Sequence, residues 1–110
     1  SRRSEAVVDS GLDPLDADAV RAQVAARLAL VREADYFSLL GLLPTATSYD
    51  IRRAYLDLRR RFEPQDLLTA ATADLHDDLL LIVEVLDEAY DILRDPNRRS
   101  RYRRAIEATR

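Results

Sequence analysis

The chain has 110 residues, of which 47 % are hydrophobic and 34 % charged, with only two glycines and four prolines. This length suits one domain with a single core, and the composition favours a helical protein over a disordered or all-β one. The absence of cysteine excludes disulfides, thiolate metal sites and a cysteine nucleophile. The longest apolar run, residues 79–83, is too short to span a membrane, so we expect no membrane insertion and a cytoplasmic location.

Charge is distributed unevenly along the chain, although the net charge is only −3. Arginines outnumber acids by five to two in residues 50–61 and by seven to two in residues 94–110, whereas residues 62–93 hold nine acids and no arginine. An acidic middle therefore separates two basic elements. Because every basic residue is arginine and the chain starts at Ser1 without methionine, we expect a piece of a longer bacterial protein from a GC-rich genome.

The N-terminal third predicts a tail followed by one helix. Residues 1–12 have no sustained periodicity and are interpreted as a flexible tail or linker. Asp13 followed by Pro14 is typical of a helix start, which predicts an extension helix at residues 13–34. Helical spacing places the following apolar residues on one face, which we expect to be buried: Ala17, Val20, Val24, Leu28 and Val31.

Two further helices are predicted in residues 35–62. Residues 35–41 read as a short helix closed by Gly41. Thr47 and Asp50 have the spacing of a capping box and should open a helix at residues 48–62. Its apolar face consists of Ile51, Ala54, Tyr55, Leu58 and Phe62.

The acidic middle predicts a loop and a long helix. Residues 63–73 are interpreted as a loop, and Asp74 as the cap of a helix that ends near residue 93. Leu81, Val85 and Ile92 form a second stripe on the flank of this helix, which could seat the N-terminal helix or, alternatively, a homodimer partner or another protein's helix. The expected core face is Leu75, Leu79, Ile82, Val83, Leu86, Ala89, Tyr90 and Leu93.

The last helix is predicted from Asp95 and Pro96, which repeat the cap-and-proline start, and it should run from Asn97 to about Ala108. Tyr102 and Ile106 are its expected apolar contacts. Tyr55 and Tyr90 each lie on the apolar face of a helix, so we expect them packed near one another in the core with their hydroxyls at its edge.

Four sequence landmarks in residues 35–110 resemble the J-domain, the module that DnaJ proteins use to engage DnaK-type chaperones. They follow the family order: an Asp-Tyr-aromatic opening closed by Leu-Gly, an Ile-basic-basic-Ala-Tyr helix, a Glu-Ala-Tyr helix, and an Asp-Pro-x-x-Arg-x-x-Tyr close. In this chain they read DYFSLLG at residues 35–41, IRRAY at 51–55, EAYDIL at 88–93 and DPNRRSRY at 95–102. The resemblance implies an all-α fold: an antiparallel helical hairpin with short flanking helices, here carrying an extra N-terminal helix.

The functional loop of the family departs from its usual pattern in this chain. J-domains carry His-Pro-Asp after the basic helix, and that loop helps to couple the partner to ATP hydrolysis. Here Glu63, Pro64 and Gln65 follow Phe62, so only the proline is kept, and Asp66 comes one residue late. The resemblance therefore implies a degenerate J-domain without the usual ATPase-stimulating motif.

The basic helix is the main candidate for a binding surface. In J-domains the corresponding helix contacts the DnaK-type partner, which implies a partner-binding role for Arg52, Arg53, Arg59 and Arg60. The same arginines could instead be the solvated side of an amphipathic helix, or could pair with the acidic helix at residues 74–91. We interpret them as the partner-binding face.

Other candidate sites are weaker. The arginines of residues 98–104 could contact phosphates, but an acidic chain without a recognition-helix pattern is not expected to bind nucleic acid. His76 has no second histidine at metal-ligand spacing, and acids such as Asp87 and Asp91 have no evident cleft. We therefore expect no enzyme activity, no catalytic residue, no metal and no cofactor.

The sequence thus predicts a non-catalytic protein-interaction module within a larger bacterial protein. Its expected partner is a protein, either a DnaK-type chaperone or another J-domain, and it is not expected to stimulate the chaperone's ATPase. Two alternatives stay open at this point. The domain could be a functional DnaK co-chaperone in which Pro64, Asp66 and the basic face suffice, or a structural spacer.

Overall fold

The computed structural model of the chain describes residues 14–109, and every regular element in this range is helical. The predicted tail at residues 1–12 and the Asp13 cap lie outside the described residues. The predicted all-α class is confirmed. In chain order the elements are α1 (Pro14–Glu33), α2 (Tyr36–Leu39), α3 (Ser48–Arg61), α4 (Pro64–Leu67), a 3-10 helix (Ala70–Leu75), α5 (His76–Leu93) and α6 (Pro96–Ala108).

The centre of the fold is an antiparallel hairpin of α3 and α5. Tyr55 of α3 stacks on Tyr90 of α5, while Arg59, one turn later on α3, pairs with Asp87, which lies earlier on α5. This reversed register defines the antiparallel arrangement. The hairpin and α2 bury a shared core whose side chains are at most 4 % exposed: Phe37, Leu39, Ile51, Leu58, Phe62, Leu79, Ile82, Leu86, Ala89 and Leu93.

The predicted capping box at the start of α3 is present. The Thr47 hydroxyl accepts the amide proton of Asp50, and the Asp50 carboxylate accepts that of Thr47, both at 3.1 Å. These two bonds satisfy donors that would otherwise be unpaired at the helix start. The helix ends one residue earlier than predicted, because Phe62 is its C-terminal cap.

The short helix α2 is closed by Gly41, as the sequence predicts. The amide of Gly41 donates to the Ser38 carbonyl at 2.9 Å, and that of Leu42 donates to the Phe37 carbonyl at 2.8 Å. This hydrogen-bond pair is a Schellman motif. Gly41 adopts a φ of +76°, a left-handed conformation that glycine enters without steric cost.

The segment between α3 and α5 is more regular than the predicted loop. Pro64 begins the single turn of α4, and Thr69 caps the 3-10 helix, which delays the start of α5 to His76. The prediction that Asp74 caps the long helix is wrong: Asp74 lies inside the 3-10 helix, and its carboxylate binds Arg21 of α1 instead.

The N-terminal helix α1 packs on the same chain, against α2, the 3-10 helix and α5. Four members of the predicted stripe are buried and Val31 is half-buried, so the expectation of a buried face is confirmed. The flank stripe of α5 is covered unevenly, because Leu81 remains 37 % exposed whereas Val85 and Ile92 pack against the core.

The closing helix α6 begins at Pro96 and is capped by Asp95, whose carboxylate accepts the amide protons of Asn97 and Arg98. These backbone hydrogen bonds lower the pKa of Asp95 below its usual value.

The predicted pairing of Tyr55 with Tyr90 is present, with the rings parallel and their centroids 4.2 Å apart. Both rings are half-buried, because the pair lies at the rim of the core and not within it.

Candidate protein-docking site

The outer face of α3 forms a shallow groove that mixes arginines with two exposed apolar side chains. Tyr49 is 66 % exposed and Leu56 is 39 % exposed, and they lie two turns apart on this face. Arg52, Arg53 and Arg60 line the groove beside them. We call this surface the α3 groove: Tyr49, Arg52, Arg53, Leu56, Asp57 and Arg60.

The three arginines of the α3 groove are only lightly engaged within the fold. Arg53 donates to the Tyr49 hydroxyl at 3.0 Å, and this hydrogen bond raises the pKa of Arg53 above its usual value. Arg60 pairs with Asp57 at 2.5 Å. Arg52 makes no side-chain hydrogen bond or ion pair with the described residues. The groove therefore presents three positive charges against one negative charge.

Arg59, the fourth predicted binding residue, lies away from the α3 groove. Its guanidinium donates to Asp87 of α5 at 3.1 Å and lies 3.8 Å from the Glu63 carboxylate. The Tyr55 hydroxyl donates to the same Asp87 oxygen at 2.6 Å. Pairing with the acidic helix, which was one of the sequence alternatives, thus applies to Arg59, whereas Arg53 and Arg60 contact only neighbours within α3 among the described residues.

The loop residues Glu63, Pro64 and Gln65 lie at the end of α3. The Glu63 carbonyl accepts the amide protons of Asp66 and Leu67, which forms the turn of α4. Gln65 and Asp66 are exposed, and Asp66 lines a second groove with Glu63, Arg59, Arg60, Tyr55 and Leu56. The loop is thus contiguous with the α3 groove through Leu56 and Arg60, which line both surfaces.

Two threonines that were not predicted from the sequence stabilise the end of the loop that follows α4. The Thr72 hydroxyl is fully buried, donates to the Leu67 carbonyl at 2.7 Å, and accepts the amide proton of Thr69 at 2.9 Å. The Thr69 hydroxyl caps the 3-10 helix in return. The spacing of Thr69 and Thr72 was the available signal, since two hydroxyl residues three apart can form a reciprocal cap.

Two arginines of α1 also reach this region, and neither was predicted from the sequence. Arg21 binds Asp74 and the Ala71 carbonyl, whereas Arg27 donates to the Leu39 carbonyl at 2.7 Å. Burial, reinforced by the positive charge of Arg61, lowers the pKa of Arg27. Arg27 lies three residues after Val24 and so falls beside the apolar stripe, which was the signal that it points inward.

The remaining sequence candidates form no metal-binding cluster within residues 14–109. No cluster of three or more His, Asp or Glu side chains that could hold a metal occurs in the described part of the chain. The His76 ring contacts the neighbouring Asp77 carboxylate at 3.2 Å, and Asp91 pairs with Arg98 of α6. None of the described helices is long and apolar enough to cross a lipid bilayer.

Comparison with known proteins matches residues 35–103 to the family model of the DnaJ domain. The matched region covers α2 to α5 and the first part of α6, and it includes both the α3 groove and the loop. The helix α1 lies outside it. No solved structure matches the chain significantly.

Relatives named chaperone protein DnaJ align with about two thirds of this chain. The protein from Rickettsia typhi is 36 % identical over 70 residues, and that from Exiguobacterium sibiricum is 38 % identical over 68 residues. These alignments cover 64 % and 62 % of this chain but only 17 % of each relative.

A shorter relative is matched over most of its length. The adaptation to cold protein J of Shewanella oneidensis is 33 % identical over 68 residues, which is 62 % of this chain and 71 % of that protein. The family model matches residues 35–103, and the relatives align over stretches of similar length. The chain therefore belongs to the DnaJ domain family, whose members are non-enzymatic interaction modules of co-chaperones for DnaK-type partners.

Proposed function

We propose that this domain docks through the α3 groove on an acidic surface of a partner protein, without stimulating ATP hydrolysis. The partner is a DnaK-type chaperone or another J-domain, and the domain acts in the cytoplasm as part of a larger bacterial protein. The observation that carries the proposal is the composition of the groove. Arg52, Arg53 and Arg60 surround Tyr49 and Leu56 on one exposed face.

The composition of the α3 groove favours docking over a merely solvated helix face. Solvated faces usually mix both charge signs, whereas this groove holds three arginines against Asp57. Tyrosine and arginine are the residue types that most often dominate binding energy at protein interfaces. A partner with acidic side chains around an apolar patch would match both the charge and the exposed Tyr49 and Leu56.

The loop supports the second half of the proposal, the absence of ATPase stimulation. Glu63 is a carboxylate where J-domains have histidine, and Gln65 is neutral where they have aspartate. The Glu63 side chain faces Arg59 at 3.8 Å, so its negative charge is directed back toward α3. A loop with reversed charge at one position and lost charge at the other lacks the groups that the family uses there.

One observation favours a second candidate function, an active DnaK co-chaperone. Asp66 is exposed and lines the same groove as Arg59, Arg60 and Glu63, one residue after the usual aspartate position. A carboxylate at this place could substitute for the missing aspartate if the partner tolerates the shift. The proposed function and this candidate differ in ATPase stimulation but share the docking face.

The docking proposal is tested with a double charge reversal in the α3 groove, Arg52→Glu with Arg53→Glu. Arg59 is left unchanged, because Arg59→Glu would place a second carboxylate beside Asp87 and disturb the hairpin. The probes are a DnaK-type chaperone with ATP and a His-Pro-Asp-containing J-domain, both from the same organism, immobilised for interferometry. We expect the natural domain to bind one of them and the variant to bind at least about tenfold more weakly, since rim charges and arginine anchors both contribute.

The matched control is Arg101→Glu with Arg104→Glu, which makes the same charge change on the exposed side of α6. We expect its binding to match that of the natural domain. Equal weakening by both double variants would mean that only net charge matters. Unchanged binding by the α3 variant would contradict the proposal and favour the structural-spacer interpretation.

A further inference from the structure

We infer that α1 positions the loop: Arg27 and Arg21 hold the two ends of the segment at residues 62–75 and thereby present Glu63, Pro64 and Gln65 in one conformation. The contacts of Arg27 and Arg21 with this segment do not depend on the proposed function. The partner-facing role of the loop rests on the proposed function. Because α1 lies outside the matched DnaJ domain, this support is an addition that the family model does not contain.

The first end of the segment is held by Arg27. Its Nη1 donates to the Leu39 carbonyl at 2.7 Å, and its Cζ lies 5.6 Å from the centroid of the Phe62 ring. Phe62 is the residue directly before Glu63 and is 1 % exposed. One guanidinium thus links the end of α2 with the end of α3, in a half-buried position where a charge-assisted hydrogen bond is strong.

The second end of the segment is held by Arg21. Its two terminal nitrogens donate to the two carboxylate oxygens of Asp74 at 2.9 and 2.8 Å, and Nη2 also donates to the Ala71 carbonyl at 2.7 Å. The fork geometry of arginine makes this contact directional. Ala71 and Asp74 belong to the 3-10 helix, so Arg21 fixes the point where the segment rejoins α5.

Between these two ends the segment is anchored by Leu67 and Leu68, which pack half-buried against the core, while Gln65 and Asp66 are exposed. The turn of α4 contains no buried residue, and the Glu63 side chain makes a single long contact with Arg59. Buried apolar side chains of α1 place the two arginines, since Val24 is 1 % exposed and packs in the common core. A displacement of α1 would therefore remove the Arg27 and Arg21 contacts together and loosen the segment at both ends.

The inference is tested by hydrogen exchange on the 110-residue chain, comparing Arg27→Met and Arg21→Met with Arg32→Met. Arg32 is an exposed arginine of the same helix and serves as the matched control. Useful reporters are the amides of Leu68 and Thr72, which donate within the segment. We expect Arg27→Met to accelerate their exchange about 10- to 100-fold, Arg21→Met by about fivefold or less because its pair is exposed, and Arg32→Met not at all.

A positioning role and a general stabilising role give different exchange patterns. Positioning predicts that residues 63–75 exchange faster while the hairpin at residues 51–58 and 82–89 keeps its rates. Arg27→Lys keeps a donor for the Leu39 carbonyl and should fall between the natural chain and Arg27→Met. Unchanged exchange in residues 63–75, or an equal increase in every helix, would overturn the inference.

This measurement needs no partner, so its outcome is independent of the docking proposal. If exchange responds as expected but the α3 charge reversal leaves binding unchanged, the loop is positioned and the proposed function fails. If binding responds to the α3 charge reversal but exchange in residues 63–75 does not respond to Arg27→Met, the docking face stands and the positioning role is refuted.

Discussion

The buried hydroxyl of Thr72 allows a direct energetic test of how the loop segment is held. Its oxygen donates to the Leu67 carbonyl at 2.7 Å and accepts the Thr69 amide proton at 2.9 Å, and the side chain is fully buried. Valine has nearly the same shape but no hydroxyl. The substitution Thr72→Val therefore removes both hydrogen bonds while leaving the packing volume almost unchanged.

The expected cost follows from the two backbone groups that lose their partner. A buried polar group left unsatisfied costs about 1–3 kcal/mol. Leu67 and Thr69 are only half-buried, so water can compensate in part, and we expect Thr72→Val to lower the free energy of unfolding by about 2 kcal/mol. Thr72→Ser keeps both bonds and loses one methyl group, which costs about 1 kcal/mol.

The assay is urea denaturation followed by far-ultraviolet circular dichroism, with the slope of the transition checked for constancy. The natural chain should be the most stable in urea, followed by Thr72→Ser and then Thr72→Val. In a separate thermal melt, the melting temperature of Thr72→Val should be about 10 °C lower than that of the natural chain. Thr45→Val, at an exposed threonine, is the control and should change little. A Thr72→Val protein as stable as the natural chain, or more stable than Thr72→Ser, would refute the reasoning.

Three further predictions concern the fold around the site. Gly41→Ala should destabilise the chain by about 1 kcal/mol in urea titrations, because φ is +76° there while the space for a methyl group is open. Arg59→Glu should lower the unfolding midpoint more than Arg52→Glu, since only Arg59 faces Asp87, and equal midpoints would contradict this. Burial, followed by a hydrogen bond to a carboxylate, raises the pKa of Tyr36 from 10.0 to about 12. The fold thus favours the protonated hydroxyl, so its contribution to stability is complete below pH 10 and is lost as pH rises through about 12. In Tyr36→Phe an ultraviolet titration should lose one tyrosinate step near pH 12, and an unchanged titration would contradict this.

The helices could be predicted from the sequence because each is marked by local chemistry. Thr47 with Asp50, Gly41, and Asp95 with Pro96 are caps that act within one turn, and the structure contains all three features. Apolar spacing likewise identified the buried face of α1, because helical periodicity is set by residues three and four apart.

The candidate site was only partly predictable, because its details depend on contacts between distant residues. Arg59 looks equivalent to Arg52 on a helical wheel, and only the position of Asp87 on the neighbouring helix separates them. Asp74 resembled a local cap, but an arginine 53 residues earlier binds it. Arg27 carries a charge that normally indicates an exposed residue, and its position over Phe62 follows from how α1 crosses the domain.

Docking through the α3 groove without activation of the partner is the function proposed for this DnaJ domain. Single-turnover ATP hydrolysis by a DnaK-type chaperone from the same organism tests it most directly, with the natural domain compared with the Glu63→His, Gln65→Asp variant. We predict that the natural domain leaves the rate unchanged, that the repaired loop accelerates hydrolysis, and that adding Arg52→Glu and Arg53→Glu abolishes the acceleration. Stimulation by the natural domain would contradict the account and identify an active co-chaperone.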